Sequence, residues 1–318
     1  YLKSHESNLH PAIAMAWKKH GKKMRGTWEE VFGQANDTVK AEASNKYAKD
    51  AWMNTYPNLT QEIFNTWNYA TYVESIATKG KAAYNIPLYV NCWQKQPKQH
   101  EPGAYPSGGP QIHLLDIYRA AAPHIDFLEP DLYNTTIWDY VLTGYDKTDN
   151  PILIPETAST PDAAARAFYT FGRYNAIGYS PFGIDGNGIS LNPIEGDKSL
   201  KKAYKMLKNL TPLINQYAGT DKINGLLLDK DRKSDNAIMG NYKIYAAGFK
   251  AVDSEAMTGV KSEEKKVRKD NVAGLIIFQT GKDEFIVAGG IGSIMVSFNL
   301  PRPEKNVHLA MESVDEIL

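Results

Sequence analysis

A single carboxylate, Glu156, draws attention because it directly follows a short apolar segment in residues 150–157, NPILIPET. The run from Pro151 to Ile154 is bounded by turn-forming residues, a pattern typical of a buried parallel strand. In an α/β barrel the reacting side chains lie at the carboxyl ends of the strands, so this position favours a catalytic role for Glu156. A Glu after a strand can also be a solvated loop residue or a helix cap, and the octapeptide alone leaves that alternative open.

The elements that must position Glu156 form an alternating series of strands and helices. Strands are predicted at residues 87–93, 125–133, 151–154 and 176–182, and helices at residues 60–80, 114–122, 162–173 and 198–210. Thr60 and Thr160 are good N-caps, and Pro161 suits a first helical position. Strands that alternate with helices predict a parallel sheet, and four such units are half of an eight-stranded barrel.

The composition changes near residue 221. Short β-rich runs follow, and Gly281, Lys282 and Asp283 are expected to form a hairpin turn. We therefore predict an α/β fold with two domains. Residues 1–220 are predicted to be the second half of a (β/α)8 TIM barrel, and residues 221–318 an antiparallel, sandwich-like β domain whose expected role is to brace the barrel.

The charge balance argues against polyanionic partners. The sequence has 36 Lys and Arg against 36 Asp and Glu, so no net field would attract nucleic acid or an anionic membrane surface. Cys92 is the single cysteine, which excludes an intrachain disulfide and a cysteine-based zinc site. The seven His residues show no metal-ligand spacing, and no apolar run reaches membrane-spanning length. We expect no metal, no cofactor and a neutral ligand.

Five motifs in order carry a family resemblance: GTWEEVFG, AYPSGGP, PDLY, ILIPET and GYSPFGID. They resemble those of bacterial β-galactosidases of glycoside hydrolase family 35, in the branch that ends in a β domain. The resemblance covers nearly the whole chain. It implies a retaining glycosidase that removes terminal β-linked galactose from oligo- or polysaccharides, with a galactose-containing glycan as partner and a secreted or periplasmic location.

The resemblance also implies roles for individual residues. A retaining glycosidase holds two carboxyl groups about 5 to 5.5 Å apart, one as nucleophile and one as acid/base. Glu156 matches the family's nucleophile and must be ionised to attack. Tyr133, which ends the preceding predicted strand, is placed to donate its phenolic hydrogen to that carboxylate, although a purely structural Tyr is the alternative.

The acid/base is expected outside this chain. In the family it is the Glu of an Asn-Glu pair upstream of the segment similar to residues 1–26, and no Asn-Glu pair occurs before residue 26. We therefore expect the chain to be a segment of a longer enzyme. Four other Glu residues are poor substitutes for the acid/base: Glu29, Glu30, Glu101 and Glu129. Glu29 and Glu30 lie in the GTWEEVFG loop, which is expected to be packed, and strand alternation could point Glu129 away from the site.

Further site residues are predicted from their places at strand ends and in loops. Planar side chains stack on the apolar face of a galactose ring, and an amide bridges its hydroxyls. The predicted sugar contacts are Asn91, Trp93, Tyr133 and Phe182. Tyr105 and Trp138 form outer subsites or pack their own loops, Asp185 is a turn residue or a sugar ligand, and Cys92 faces the other side of its strand as a packing residue.

Two alternatives stay open. One is a noncatalytic carbohydrate-binding protein on a degraded barrel, which the missing acid favours. The other is a retaining β-glycosidase of different sugar specificity, because a fold alone does not set the substrate. A half barrel also leaves an edge strand unpaired, so the isolated segment is expected to be unstable or to aggregate.

Overall fold

The computed structural model describes residues 60–99, 102–146, 150–184, 197–248, 272–289 and 294–300. Residues 9–23, whose amphipathic pattern predicts a helix, lie outside these ranges. So do the loop that contains Glu29 and Glu30, and the residues Glu101 and Asp185. The chain divides into two compact units, Tyr1–Thr157 and Ala158–Leu318. The domain boundary expected at residue 220 stays a prediction.

The described part of the first unit alternates helices and strands as the sequence predicts. Its helices are α1 (Thr60–Ala83), α2 (Leu115–Ala121) and α3 (Trp138–Tyr145), and its strands are β1 (Tyr89–Trp93), β2 (Phe127–Asp131) and β3 (Leu153–Thr157). Short 3₁₀ helices, Ile112–Leu114 and Thr135–Ile137, precede α2 and α3. The helix α3 was not predicted from the sequence.

The parallel sheet has the order β1, β2, β3, β4, with β4 at Gly178–Pro181. In the β1–β2 pair, Asn91 is level with Glu129 and Trp93 with Asp131. In the β2–β3 pair, Asp131 is level with Glu156. A parallel sheet whose strands alternate with helices along the chain agrees with the predicted α/β class.

Two side chains replace backbone partners between β2 and β3. Asn150 accepts a hydrogen bond from the Leu128 amide through Oδ1 and donates one to the Leu128 carbonyl through Nδ2, each at 2.9 Å. The amide of Leu153 donates to Oε2 of Glu129 at 2.8 Å. These bonds tie the start of β3 to β2, and Glu156 lies at the end of the strand that they hold.

The second unit begins with α4 (Pro161–Tyr174), which the sequence predicts closely. Thr160 caps it as expected, because its Oγ1 accepts the Ala163 amide at 3.2 Å. A later helix, α5 (Asp197–Tyr217), extends beyond its predicted end and contains Pro212.

Two antiparallel sheets complete this unit and confirm the predicted β-rich character. One has the order β5 (Ile223–Leu228), β8 (Ala273–Gln279), β9 (Phe285–Gly289), and the other has the order β10 (Ile294–Asn299), β7 (Tyr242–Gly248), β6 (Ser234–Met239). Their shared core includes Leu226, Met239, Ile244 and Ile277. The strand β6 was not predicted.

Helix α4 lies directly against β5 and β8. A Cβ added to Gly274 would stand 1.8 Å from the Ala165 carbonyl oxygen, and one at Gly225 would stand 2.5 Å from that of Tyr169. Only glycine permits such an approach of helix and strand backbones. A 2.7 Å ion pair from Arg166 to Asp229 further holds α4 in place.

Candidate functional site

The candidate site lies at the carboxyl ends of β1, β2 and β3 in the first unit. Trp93, Asp131 and Glu156 occupy one register row across these strands. Side chains at matched positions of parallel strands point to the same face of a sheet. The row therefore brings an indole and two carboxyl groups together.

Glu156 is bound by Tyr133, as the sequence predicts. The Tyr133 hydroxyl donates to Oε1 of Glu156 at 2.7 Å. Two bonds around Leu132 align the strand ends that carry these residues: its amide donates to the Glu156 carbonyl at 2.8 Å, and its carbonyl accepts from Thr157 Oγ1 at 2.6 Å. Burial, followed by the hydrogen bond to Glu156, raises the pKa of Tyr133, so the phenol keeps its proton as a donor.

An aromatic surface stands beside this hydrogen bond. The rings of Trp93 and Tyr133 stack with centroids 5.0 Å apart and an interplanar angle of 21°. Trp93 remains 42% exposed, so it has apolar surface to offer a ligand. The indole of Trp93 therefore lies beside the Tyr133 ring that binds the Glu156 carboxylate.

Asp131 is a site residue that the sequence reasoning missed. It is 9% exposed, and its Oδ1 accepts a 2.7 Å hydrogen bond from Nδ2 of Asn91. Burial raises the pKa of Asp131, the Asn91 bond opposes that rise, and the nearby charge of Glu156 adds to it. The available signal was the Asp of the PDLY motif, two residues before Tyr133.

Three acceptor atoms of this cluster have no hydrogen-bond donor among the described residues. Within the described ranges no donor binds Oε2 of Glu156, Oδ2 of Asp131 or Oδ1 of Asn91. Hydroxyl groups of a ligand are suitable donors for these atoms.

Glu129 is poorly suited to acid/base catalysis, but for a different reason than the one expected from the sequence. It is two residues from Asp131 on one strand, so alternation gives both the same direction. Its carboxyl group is instead fully buried and bound to the Leu153 amide. Burial raises the pKa of Glu129 to about 9, so it is a neutral acid at pH 7.

The predicted subsite roles of Tyr105 and Trp138 need correction. Both side chains are buried, and Trp138 begins α3 instead of lying in a loop. Buried rings offer no wall to a glycan, so the packing alternative holds for both.

Cys92 and Phe182 occupy different settings. Cys92 is buried on the side of β1 opposite Asn91 and Trp93, as predicted, and burial raises the pKa of its thiol to about 12. Phe182 follows β4 in the second unit and is 61% exposed. Its carbonyl oxygen accepts a 2.6 Å hydrogen bond from Ser159.

Two other features are absent from the described residues. No group of three or more His, Cys, Asp or Glu side chains there could hold a metal ion. None of the helices in the same ranges has the length and apolarity needed to cross a bilayer.

Comparison with known proteins gives one family match. Residues 200–317 match the model of DUF5597, a domain of unknown function. The match includes most of α5 and all the strands from β5 onward. No curated protein shows a significant match to the sequence. The DUF5597 match is compatible with the motif resemblance but specifies no activity.

Proposed function

We propose that this chain carries the nucleophile half of the active site of a retaining β-galactosidase, with Glu156 as the nucleophile. The observation that carries the proposal is the 2.7 Å hydrogen bond from Tyr133 to Glu156 at neighbouring strand ends. The stacked indole of Trp93 beside it supports a sugar ligand. The parallel sheet β1–β4 is proposed to be half of a (β/α)8 barrel.

The proposed reaction is a double displacement. The Glu156 carboxylate attacks the anomeric carbon, the glycosidic C–O bond breaks, and the leaving oxygen takes a proton from an acid. Water then attacks the glycosyl ester after losing a proton to the same group, and Glu156 leaves as a carboxylate. By the family resemblance, the acid/base is a Glu from a segment preceding the part similar to residues 1–26.

Tyr133 has a defined task in this reaction. Its hydroxyl binds one oxygen of Glu156, so the carboxylate is oriented with Oε2 open for the attack. Because the donor is already aligned before the substrate binds, little reorganisation is needed at the transition state. Tyr133 is therefore proposed as a positioning residue, and Glu156 as the group that forms the bond.

The ligand is proposed to be a neutral, galactose-containing glycan, and the location secreted or periplasmic. Trp93 and Asn91 are proposed to contact the sugar, Trp93 by stacking and Asn91 by its open carbonyl oxygen. The sugar contact that the sequence predicts for Phe182 stays a prediction; its side chain is 61% exposed.

Replacement of the nucleophile tests the reaction. In the full-length protein, Glu156→Gln should lower kcat on nitrophenyl β-galactoside by about 10³-fold or more while the fold is kept. Glu156→Gly with added azide should produce the α-galactosyl azide, because azide then attacks from the vacated side. Glu284→Gln, an exposed Glu in the second unit, is the matched control and should retain full activity. Unchanged turnover in Glu156→Gln would reject the nucleophile assignment.

A carbohydrate-binding protein without catalysis is the second candidate. The open acceptors of Asp131, Asn91 and Glu156 favour it, because they suit sugar hydroxyls whether or not an acid is present. Galactose binding by a full-length protein that hydrolyses none of a panel of nitrophenyl β-glycosides would support this alternative. Hydrolysis of another glycoside in that panel would instead redefine the sugar specificity.

A further inference from the structure

We propose that Asp131 and Asn91 together bind two adjacent hydroxyl groups of the sugar and thereby restrict this subsite to uncharged rings. The inference rests on the proposed function in one respect, the sugar class of the ligand. It adds a pair of residues that determines specificity. Asp131 is not among the site residues that the sequence predicts.

Asp131 lies in the middle of the register row that contains Trp93 and Glu156. It lies on β2, level with Glu156 on β3 and with Trp93 on β1. A ligand that places its reacting carbon at Glu156 and its ring against Trp93 must therefore pass Asp131. The carboxylate is within the binding surface, at the centre of the row.

The side-chain amide of Asn91 is oriented by Asp131. Its Nδ2 donates to Oδ1 of Asp131 at 2.7 Å. Because a carboxylate accepts and does not donate, this bond fixes which end of the amide faces Asp131. The carbonyl oxygen Oδ1 of Asn91 is then the end of the amide that does not face Asp131, and it can accept a hydrogen bond.

Among the described residues, the Asp131 carboxylate has few hydrogen-bond donors. A structural, mostly buried carboxylate is usually paired with a cation or with several N–H groups. Within the described ranges Asp131 forms no ion pair, and Asn91 is its one hydrogen-bond donor. It also stands next to a second carboxyl group, Glu156, which is unfavourable by charge repulsion. A ligand that donates hydrogen bonds accounts for an arrangement that packing alone does not explain.

The kind of ligand follows from these acceptors. A hydroxyl group donates one hydrogen bond to each open oxygen, and a bond to an ionised carboxylate is among the stronger ones. Because the two acceptors belong to side chains that are hydrogen-bonded to each other, we infer that they bind two adjacent hydroxyls of a pyranose. A carboxylate or sulfate on the ring would meet the charges of Asp131 and Glu156, so the subsite should exclude uronic acids and sulfated sugars.

Binding measurements with deoxy sugars test the inference without depending on turnover. Galactose and its monodeoxy analogues are titrated calorimetrically into the full-length wild type, Asp131→Asn, Asp131→Ala and Asn91→Ala. One deoxy analogue should bind the wild type about 10- to 100-fold more weakly than galactose, and that difference should vanish in Asp131→Ala. A second, adjacent analogue should behave in the same way with Asn91→Ala. Asp231→Asn, which changes an exposed Asp of the second unit, should match the wild type throughout.

The remaining outcomes separate this inference from the proposed function. Asp131→Asn preserves shape, so a loss of the deoxy effect in that variant with an unchanged melting temperature excludes simple misfolding. Sugar binding with the predicted deoxy pattern but no hydrolysis would reject the enzyme and keep the inference. Hydrolysis with the same deoxy losses in the wild type and Asp131→Ala would keep the enzyme and reject the inference. Galacturonic acid that binds as well as galactose, or no binding of any neutral sugar, would also overturn it.

Discussion

The hydroxyl of Tyr133 and Oε1 of Glu156, on neighbouring strands, are joined by a 2.7 Å hydrogen bond. The bond links the second residue after β2 to the penultimate residue of β3. It thereby fixes the carboxylate at the edge of the sheet where parallel α/β proteins place their ligands.

Removal of this hydrogen bond should slow catalysis without unfolding the protein. Tyr133→Phe keeps the ring stacked on Trp93 and leaves Oε1 of Glu156 without its donor. We expect kcat to fall about 10- to 100-fold with little change in KM, measured by steady-state hydrolysis of nitrophenyl β-galactoside. Tyr84→Phe, at an exposed Tyr of the same unit, is the control. Equal kcat values for Tyr133→Phe and the wild type would mean that Tyr133 is structural.

Removal of the exposed indole should weaken binding more than chemistry. Trp93→Ala deletes the apolar surface beside Tyr133, so KM should rise about 5- to 20-fold, and Trp93→Phe should restore much of the loss. The melting temperature should change little because Trp93 is 42% exposed. The control Tyr84→Ala removes an aromatic side chain that is 74% exposed. A KM for Trp93→Ala equal to that of the control would exclude sugar stacking at this position.

The raised pKa of Glu129 predicts that the stability of the fold depends on pH in a specific way. Its pKa is raised to about 9 by burial, so between the ordinary carboxyl pKa and 9 the folded state holds a proton that the unfolded chain has released. This contribution to the free energy of unfolding therefore falls as pH rises across that window. In Glu129→Gln the loss between about pH 5 and pH 8 should shrink by at least ~1 kcal/mol, measured by denaturant unfolding.

The control for this prediction is Glu284→Gln, which removes an exposed carboxylate of the second unit. It should reproduce the wild-type pH dependence. If the free energy of unfolding decreased equally in Glu129→Gln and in the wild type across this pH window, the assignment of Glu129 as a buried neutral acid would be wrong.

The close approach of α4 to β8 predicts a large effect of a single methyl group. Gly274→Ala would place its Cβ 1.8 Å from the Ala165 carbonyl oxygen, and neither backbone can yield easily. We expect a loss of about 2–4 kcal/mol in the free energy of unfolding. Gly80→Ala in α1 is the matched control, because its Cβ has open space and alanine favours a helix. Similar stabilities for the two variants would contradict the close packing.

The sequence predicted those features that depend on local chemistry. Thr160 and Pro161 gave the start of α4, because a cap and its first helical residue act within one turn. Tyr133 and Glu156 could be connected because Tyr133 ends one predicted strand, Glu156 lies just beyond the next, and neighbouring parallel strands end at one edge.

Features that depend on register or on tertiary packing were not accessible in the same way. Asp131 enters the site because it is level with Glu156, and strand register cannot be deduced from a single strand's residues. The strand β6 reads SDNAIM, whose polar start resembles a loop until β7 pairs with it. Trp138 was placed in a loop because α3 has only eight residues, too few for clear helical periodicity.

Covalent labelling of Glu156 is the most direct measurement of the central claim. The full-length protein is incubated with a 2-fluoro-galactosyl inactivator, which forms the glycosyl ester but slows its hydrolysis, and the labelled peptide is mapped by mass spectrometry. We expect one 2-fluorogalactosyl group on Glu156 and none on the Glu156→Gln variant. A label on another carboxylate, or active protein that turns over substrate and takes no label, would contradict it.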